Sequence, residues 1–245
     1  MHSIKDRIQN IQQNIGKQCQ QSQRKPSDVE LLAVSKRFDQ QAVLQAHHSG
    51  LQHFAENYVQ EGVDKVQALA DYKLTWHFIG PLQSNKTKAV AQHFDWVHSI
   101  ERLKIAQRLN AQRPEQMPPL NVLLQINISA DQAKSGLCSQ QQQQQRQLAV
   151  PEQALYKIIK QLADNIQSLP NLRLRGLMAI TEAQLSTEQL SLQFAHLSQL
   201  YKQLQLDFDH IDSLSMGMSG DYTTAIDCGS TMIRIGTALF GQRTT

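Results

Sequence analysis

The stretch Val29-Glu30-Leu31-Leu32-Ala33-Val34-Ser35-Lys36 is an apolar run that ends on a lysine. A run of this length, rich in branched side chains and followed by a helical pattern from Asp39, is typical of a parallel strand covered on both faces. Lys36 would then lie at the carboxyl end of the strand, where α/β folds bind their ligands. A lysine held there partly out of water can attack an aldehyde, so Lys36 is a candidate Schiff-base lysine. The alternative is an ordinary solvated lysine that follows a strand.

Strand–helix units recur along the rest of the chain. A first helix is expected to begin near Ser3, because Ile4, Ile8, Ile11 and Ile15 recur at helical spacing. Eight apolar segments follow, each succeeded by a helical pattern. The predicted strands cover residues 29–36, 53–56, 75–79, 96–100, 121–128, 172–180, 213–216 and 231–235.

This alternation predicts the fold class, which is α/β. Because parallel strands need helical crossovers, eight units most simply close into a single (β/α)8 barrel of the TIM type over residues 1–245, with the N-terminal helix as an addition. An open doubly wound sheet is the alternative. Neither Gly-x-Gly-x-x-Gly nor Gly-x-x-x-x-Gly-Lys occurs in the chain, so the motifs that would favour the open sheet are missing. The glutamine-rich stretch 140–145 is interpreted as part of a loop.

The composition of the chain argues against several classes of binding partner. The formal net charge of +3 comes from scattered basic residues without a long basic block, so nucleic-acid binding is not indicated. Cys19, Cys138 and Cys228 are far apart and form no Cys-x-x-Cys motif, which argues against a disulfide framework and against a zinc site. No apolar run has the length of a membrane span, and the N-terminus is polar. We therefore expect a cytoplasmic protein with reduced thiols that does not bind membranes.

Function in a barrel is expected at the carboxyl ends of the strands. The predicted ends of strands one to six carry Lys36, Glu56, Asn57, His77, Ser99, Asn127, Ser129 and Met178. His77 can equally be a hydrogen-bonded core histidine, because it follows Trp76 in an apolar strand. Met178, Met216 and Met218 can equally be packing residues.

The segments after strands seven and eight are rich in small residues. They read Ser215-Met216-Gly217-Met218-Ser219-Gly220 and Arg234-Ile235-Gly236-Thr237. Small residues let backbone N–H groups approach an anion, and barrels commonly hold a phosphate in these two loops. A lysine across the barrel from a phosphate site suggests a phosphorylated aldehyde such as pyridoxal 5′-phosphate, whose sites place an Asp or Arg against the pyridine nitrogen. Arg234 is the candidate for that position, although ordinary turn chemistry also explains the glycines and serines.

Six motifs in this order resemble the family of pyridoxal phosphate homeostasis proteins (the YggS/PROSC family). They are Ala33-Val34-Ser35-Lys36, Phe54-Ala55-Glu56-Asn57-Tyr58-Val59-Gln60-Glu61, Trp76-His77-Phe78-Ile79-Gly80-Pro81-Leu82-Gln83-Ser84-Asn85-Lys86, Gly176-Leu177-Met178, Leu214-Ser215-Met216-Gly217-Met218-Ser219 and Ser230-Thr231-Met232-Ile233-Arg234-Ile235-Gly236-Thr237. The chain departs from the family pattern at Ala55, at Thr181-Glu182 and in the glutamine run. None of these departures touches the predicted Schiff base or the phosphate loops.

The resemblance implies a barrel similar to the N-terminal domain of alanine racemase, with the cofactor pyridoxal 5′-phosphate joined to Lys36 as an aldimine. It implies that Ser219, Gly236 and Thr237 hold the phosphate and that Arg234 faces the pyridine nitrogen. The further residues expected to contact the cofactor are Asn57, His77, Met178, Ser215 and Met218.

Two function classes remain open. One is a carrier without strong catalytic activity that buffers pyridoxal phosphate and delivers it to apo-enzymes, and the other is an amino-acid racemase on the same barrel. A racemase needs a second acid/base on the opposite face of the cofactor, which related racemases supply from an additional C-terminal domain. Only four residues follow Gly241, so the carrier is favoured. A monomer is expected, and Lys134 stays open as a second lysine.

Overall fold

Eight parallel strands form a closed barrel in which each strand pairs with its neighbours in sequence and β8 pairs with β1. The structure is a computed structural model that describes residues 3–129, 135–138, 152–181 and 185–242. The strands are β1 (Glu30–Val34), β2 (His53–Glu56), β3 (Thr75–Phe78), β4 (Trp96–Ile100), β5 (Leu120–Ile126), β6 (Leu172–Ala179), β7 (Ser213–Met218) and β8 (Met232–Ile235). The predicted (β/α)8 barrel is therefore confirmed. Lys134 and the glutamine run 140–145 lie outside the described residues.

The helices that connect the strands lie on the outside of the barrel. They are α1 (Ile4–Gln21), α2 (Gln40–His48), α3 (Val59–Ala68), α4 (Thr87–His93), α5 (Leu103–Gln112), α6 (Glu152–Gln167), α7 (Thr187–Asp207), α8 (Tyr222–Asp227) and α9 (Thr237–Phe240), with a short 3₁₀ turn at Pro26–Asp28. Within the described ranges, none of these helices combines the length and the apolarity that crossing a membrane would need.

The predicted N-terminal helix begins where its sequence pattern indicates. Ser3 and Asp6 form a capping box, in which each side chain accepts a hydrogen bond from the backbone N–H of the other, at 3.1 and 2.9 Å. Ile8, Ile11 and Ile15 are buried on one face of α1 and join the large core between helices and strands. Helical periodicity and capping chemistry therefore agree at this end of the chain.

Several strand ends differ from the prediction by one or two residues, and those of β1 and β7 bear on the site. The β1 ladder ends at Val34, so Ser35 and Lys36 belong to the loop above it, where Arg37 adopts a positive φ of 65°. Strand β7 continues to Met218, because its ladder with β8 shifts register and resumes at the pair Met218 and Arg234. A helical segment was expected after strand eight without bounds, and helix α9 is that segment; its four residues are too few for a measurable periodicity.

The barrel interior has an apolar part and a polar part. Its apolar cluster contains Leu32, Val34, Ala55, Ile79, Trp96, Leu123, Met178 and Met232. Beside it, His77, His98, Ser215 and Arg234 are at most 4% exposed. Buried polar groups of this kind must find hydrogen-bond partners inside the barrel.

Strands β6 and β7 approach each other so closely that one position on β6 excludes a side chain. Gly176 has a φ of 150°, and a Cβ atom there would lie 1.8 Å from the carbonyl oxygen of Ser213. We expect Gly176→Ala to lower the free energy of unfolding by about 2–4 kcal/mol, measured by urea titration of the circular dichroism signal.

The matched control is Gly16→Ala in α1, where nothing lies within 4 Å of an added Cβ. Because alanine favours the helix, this control should raise stability by about 0.5–1 kcal/mol. An unfolding midpoint of Gly176→Ala equal to that of the unmutated protein would contradict the close approach of the two strands.

Candidate functional site

A cavity of about 400 Å³ opens at the carboxyl ends of the strands. It is lined by Val34, Lys36, Phe38, Asn57, Ile79, Ile180, Met218, Ser219, Gly220, Arg234, Gly236 and Thr237. Seven of the ten residues predicted from the sequence are in this wall: Lys36, Asn57, Met218, Ser219, Arg234, Gly236 and Thr237. The fold thus brings residues from both ends of the chain into one concave site of the size that binds small molecules.

Lys36 contributes the amine of the cavity. Its residue is half-buried, and its Nζ atom forms no hydrogen bond or ion pair with any residue in the described part of the chain. An amine without a fixed partner is available to a ligand in the cavity.

A buried ion pair lies beneath the Lys36 loop. The Nζ atom of Lys65 donates to the carbonyl oxygen of Ser35 at 2.7 Å and to Oε1 of both Glu56 and Glu61 at 2.8 Å. Ser35 Oγ also donates to Glu56 Oε1 at 2.6 Å, and the backbone N–H of Arg37 donates to Glu61. These contacts hold the residues on both sides of Lys36 in place.

Glu56 has a different role from the other residues at strand ends. It is fully buried, and its burial raises the pKa of the carboxyl group, an effect that the neighbouring Lys65 charge opposes. The sequence pattern placed Glu56 at the carboxyl end of its strand but did not reveal its partner. Lys65 was not anticipated, although its spacing of four residues from Glu61 is a recognisable helical ion-pair pattern.

Arg234 supplies a buried cation to the cavity wall. Its Nη1 atom donates to Ser215 O at 2.8 Å and to Ser215 Oγ at 2.7 Å, and Nη2 donates to Ala179 O at 2.8 Å. Burial lowers the pKa of Arg234 to about 10, while Asp221 opposes the shift, so the guanidinium stays protonated at neutral pH. Three of its five N–H protons are used, and within the described residues the other two have no acceptor.

The loops after β7 and β8 present backbone donors. Among the described residues, no acceptor receives the backbone N–H groups of Ser219, Gly220, Gly236 and Thr237. Asp221 fixes the first of these loops, because its carboxylate accepts from the Met218 N–H and from Thr181 Oγ1.

Three predicted residues do not line the cavity. His77 lies one side-chain layer deeper, where its ring nitrogens contact His53 at 3.0 Å and His98 at 2.9 Å. Ser215 lies behind Arg234 and bonds to it. Met178 is fully buried in the apolar cluster inside the barrel. His98, which the sequence analysis did not single out, links His77 to Ser215.

The residues of the cavity fit pyridoxal phosphate. A free amine suits its aldehyde, the unpaired N–H groups of the two loops suit its phosphate, and the remaining Arg234 donors suit its pyridine nitrogen. In addition, Asn57 Oδ1 is buried in the wall and has no hydrogen-bond partner within the described part of the chain. A buried acceptor left unpaired is costly, so this atom favours a ligand that donates to it.

Known proteins similar to this chain were found both among curated sequences and among solved structures. A protein named pyridoxal phosphate homeostasis protein from Vibrio alginolyticus is 47% identical over 247 residues and covers 99% of both chains. The protein of that name from Vibrio cholerae is 48% identical over 99% of this chain and 98% of its own length. Among solved structures, PipY of Synechococcus elongatus with PLP bound is 33% identical with a TM-score of 0.74, covering 93% of this chain and 100% of PipY.

Family matching extends over almost the entire chain. Residues 7–244 match the alanine racemase N-terminal domain family. With the identity to curated relatives, the match establishes that this chain belongs to the alanine racemase N-terminal domain family and, within it, to the pyridoxal phosphate homeostasis proteins.

Proposed function

We propose that this protein carries pyridoxal 5′-phosphate on Lys36 and buffers and delivers the cofactor to enzymes that require it. The observation that supports this most directly is the unpartnered Lys36 amine in one cavity with the free backbone donors of the β7 and β8 loops. The relatives' name and the PLP-bound PipY structure support the same ligand.

Attachment and release need only reversible chemistry. With the cofactor bound in this cavity, the Lys36 amine would be the group that attaches to its aldehyde, and the aldehyde oxygen would leave as water. Release is the reverse step, in which water or the amine of a recipient displaces Lys36. Because the Lys36 amine has no ion-pair partner among the described residues, no salt bridge has to break before it reacts.

The composition of the cavity wall favours a carrier over a racemase. Among the described lining residues, Lys36 and Arg234 are the only ionisable ones. An arginine at neutral pH donates protons in hydrogen bonds but does not serve as a base. Racemisation requires two acid/base groups on opposite faces of the ring, and this wall supplies one. The protein is therefore proposed to act without physiologically meaningful turnover of amino acids.

The first prediction concerns the attachment point. The purified protein should be yellow, and borohydride reduction should fix the cofactor to Lys36, because Lys36 has the unpartnered amine in the cavity. Peptide mapping by mass spectrometry checks this. Lys36→Ala should lose the label, whereas Lys86→Ala, which removes an exposed lysine at the start of α4, should keep it. Reproducible labelling of another lysine in the unmutated protein would remove Lys36 from this role.

A second prediction concerns the phosphate. Pyridoxal should bind at least about a hundredfold more weakly than its phosphate, because it loses several charge-assisted hydrogen bonds worth roughly 1.5–3 kcal/mol each. Isothermal titration with both ligands measures the ratio. Lys36→Ala leaves the two loops intact and should still prefer the phosphate. Equal affinity for the two ligands would show that these loops are only turns.

A third prediction concerns catalysis. When the cofactor-loaded protein is mixed with a panel of L- and D-amino acids in deuterated water, NMR should show no enzymatic α-proton exchange, since the wall offers one base and not two. Exchange at roughly 1 per second or faster that disappears in Lys36→Ala would make the protein an amino-acid racemase or a related enzyme.

A further inference from the structure

A row of polar side chains crosses the barrel interior from Arg234 to the amino-terminal ends of β1 and β2. Hydrogen bonds join its members from Arg234 to His53, and an ion-pair contact joins His53 to Glu30. The successive contacts are Arg234 Nη1 to Ser215 Oγ at 2.7 Å, Ser215 Oγ to His98 Nδ1 at 3.1 Å, His98 Nε2 to His77 Nδ1 at 2.9 Å, His77 Nε2 to His53 Nδ1 at 3.0 Å and His53 Nε2 to Glu30 Oε2 at 3.7 Å. We call this set the barrel row. None of its contacts was visible in the sequence, because each joins residues on different strands.

The two ends of the barrel row favour one direction for the hydrogen bonds between them. A guanidinium can only donate, and a carboxylate can only accept. Ser215 Oγ accepts from Arg234, so its single proton is free to point at Nδ1 of His98.

The same logic continues through the imidazole rings. Each neutral ring has one donor and one acceptor nitrogen. A ring that accepts at Nδ1 must donate from Nε2, and so His98 donates to His77, His77 donates to His53, and His53 faces Glu30 with its N–H. His98 and His77, the two fully buried histidines, are thereby assigned the Nε2–H tautomer.

Burial keeps the inner part of the row neutral. Desolvation holds the pKa of His77 and of His98 well below the ordinary value, and the neighbouring histidines and Arg234 respectively act in the same direction. Among the described residues, the charged groups in contact with the row are Arg234 on β8 at one end and Glu30 on β1 at the other, and Asp95 interacts electrostatically with His53. Trp96 stacks on His77 with ring centroids 5.3 Å apart and an interplanar angle of 16°, which restrains the ring plane.

We propose that His98 and His77 are positioning residues for Arg234, which they act on through Ser215. Because Ser215 Oγ donates its hydrogen bond to Nδ1 of His98, a lone pair of Ser215 Oγ is available to accept the hydrogen bond from Arg234 Nη1. The neutral rings also turn their acceptor nitrogens toward the guanidinium, which stabilises a cation away from water. The row therefore holds Arg234 in the orientation that faces the ring nitrogen of the cofactor, a conclusion that rests on the proposed function.

The tautomers provide a test that does not depend on the cofactor. In the full-length protein labelled with ¹⁵N in its histidine side chains, NMR should show His77 and His98 as neutral Nε2–H tautomers whose Nδ1 atoms accept hydrogen bonds. The variants His53→Gln, His77→Gln and His98→Leu assign the signals. An Nδ1–H tautomer or a charged ring at His77 or His98 would reverse the direction of the row and overturn the inference.

The effect on the cofactor is tested with two ligands. One is pyridoxal 5′-phosphate, and the other is its deaza analogue, in which C–H replaces the ring nitrogen while the aldehyde and phosphate remain. The unmutated protein should bind pyridoxal 5′-phosphate more tightly than the analogue. In His98→Leu this preference should fall about tenfold, the value of roughly one hydrogen bond to a charged group. Dissociation constants from absorbance titration give the ratio.

A matched histidine outside the barrel interior serves as control. His93 on α4 also uses both ring nitrogens, toward Ala89 O and Gln67, so His93→Leu should leave the ratio unchanged. If His98→Leu does not fold, Ser215→Ala removes the same link with a smaller change and should lower the ratio equally. An equal loss of affinity for both ligands, or an unchanged ratio, would show that the row has only a structural role and overturn the inference.

The outcomes separate the inference from the proposed function. If the unmutated protein binds neither ligand, the carrier function fails, and the proposed role of His98 and His77 toward the cofactor fails with it, while the tautomers are still decided by the NMR experiment. If it binds both equally through Lys36, the carrier function stands and Arg234 does not face the ring nitrogen, so the inference alone is overturned.

Discussion

Pairing of β8 with β1 is the constraint on which the whole site depends. This ladder places Arg234 opposite Leu32 and Ile235 opposite Ala33, so the loop after β8 lies directly beside the Lys36 loop. In an open sheet, β1 and β8 would not pair. Because all eight strands are parallel, closure also collects their carboxyl ends in a single ring. The cavity therefore follows from topology, and the local sequence only determines which side chains line it.

Lys36 and Lys65 both lie near this ring of strand ends, but their amines differ in hydrogen bonding. Lys65 is 4% exposed, and its three bonds to Ser35, Glu56 and Glu61 use the three protons of an ammonium group. Burying this charge is costly, and removing one partner would leave a buried ion without compensation. The ion pair is therefore stable only because all of its hydrogen bonds are formed. A fully bonded ammonium has no lone pair for an aldehyde. The structure thus assigns the structural role to Lys65 and leaves the amine of Lys36 available.

The sequence was sufficient to predict the barrel and most of the residues that line the cavity. Hydrophobic periodicity indicates where the strands lie, and residues at the carboxyl ends of the strands are expected to face the ligand. The sequence could not locate the end of β1, since Ser35 and Lys36 continue the same run in the sequence although the strand ends at Val34. The contact of His77 with the cofactor was expected from the family resemblance, while the residues alone also allowed a hydrogen-bonded core histidine. In the structure, Ile79 on the same face extends one layer further and reaches the cavity instead.

No local sequence pattern could reveal which residues on neighbouring strands contact one another. Each of His53, His77 and His98 lies in a predicted strand, but a single strand does not tell which residue of the next strand lies beside it. The register Ala55 to His77 and His77 to Trp96 is what aligns the three rings. A search for polar residues repeated on the inward face of successive strands would have found them.

The way in which the barrel supports Arg234 bears on what the cofactor can do in the proposed site. No carboxylate among the described residues forms an ion pair with this guanidinium, whose hydrogen-bond partners are Ser215 and Ala179. Its hydrogen-bond partners are neutral, and the nearby Asp221 carboxylate favours its charged form without contacting it. A cation that only donates keeps a pyridine nitrogen unprotonated, and an unprotonated ring is a poor electron sink. Carbanion chemistry is disfavoured in such a site. Reversible attachment through Lys36 is not disfavoured, because attachment draws no electrons into the ring. The same buried cation therefore suits a protein that holds the cofactor and releases it unchanged.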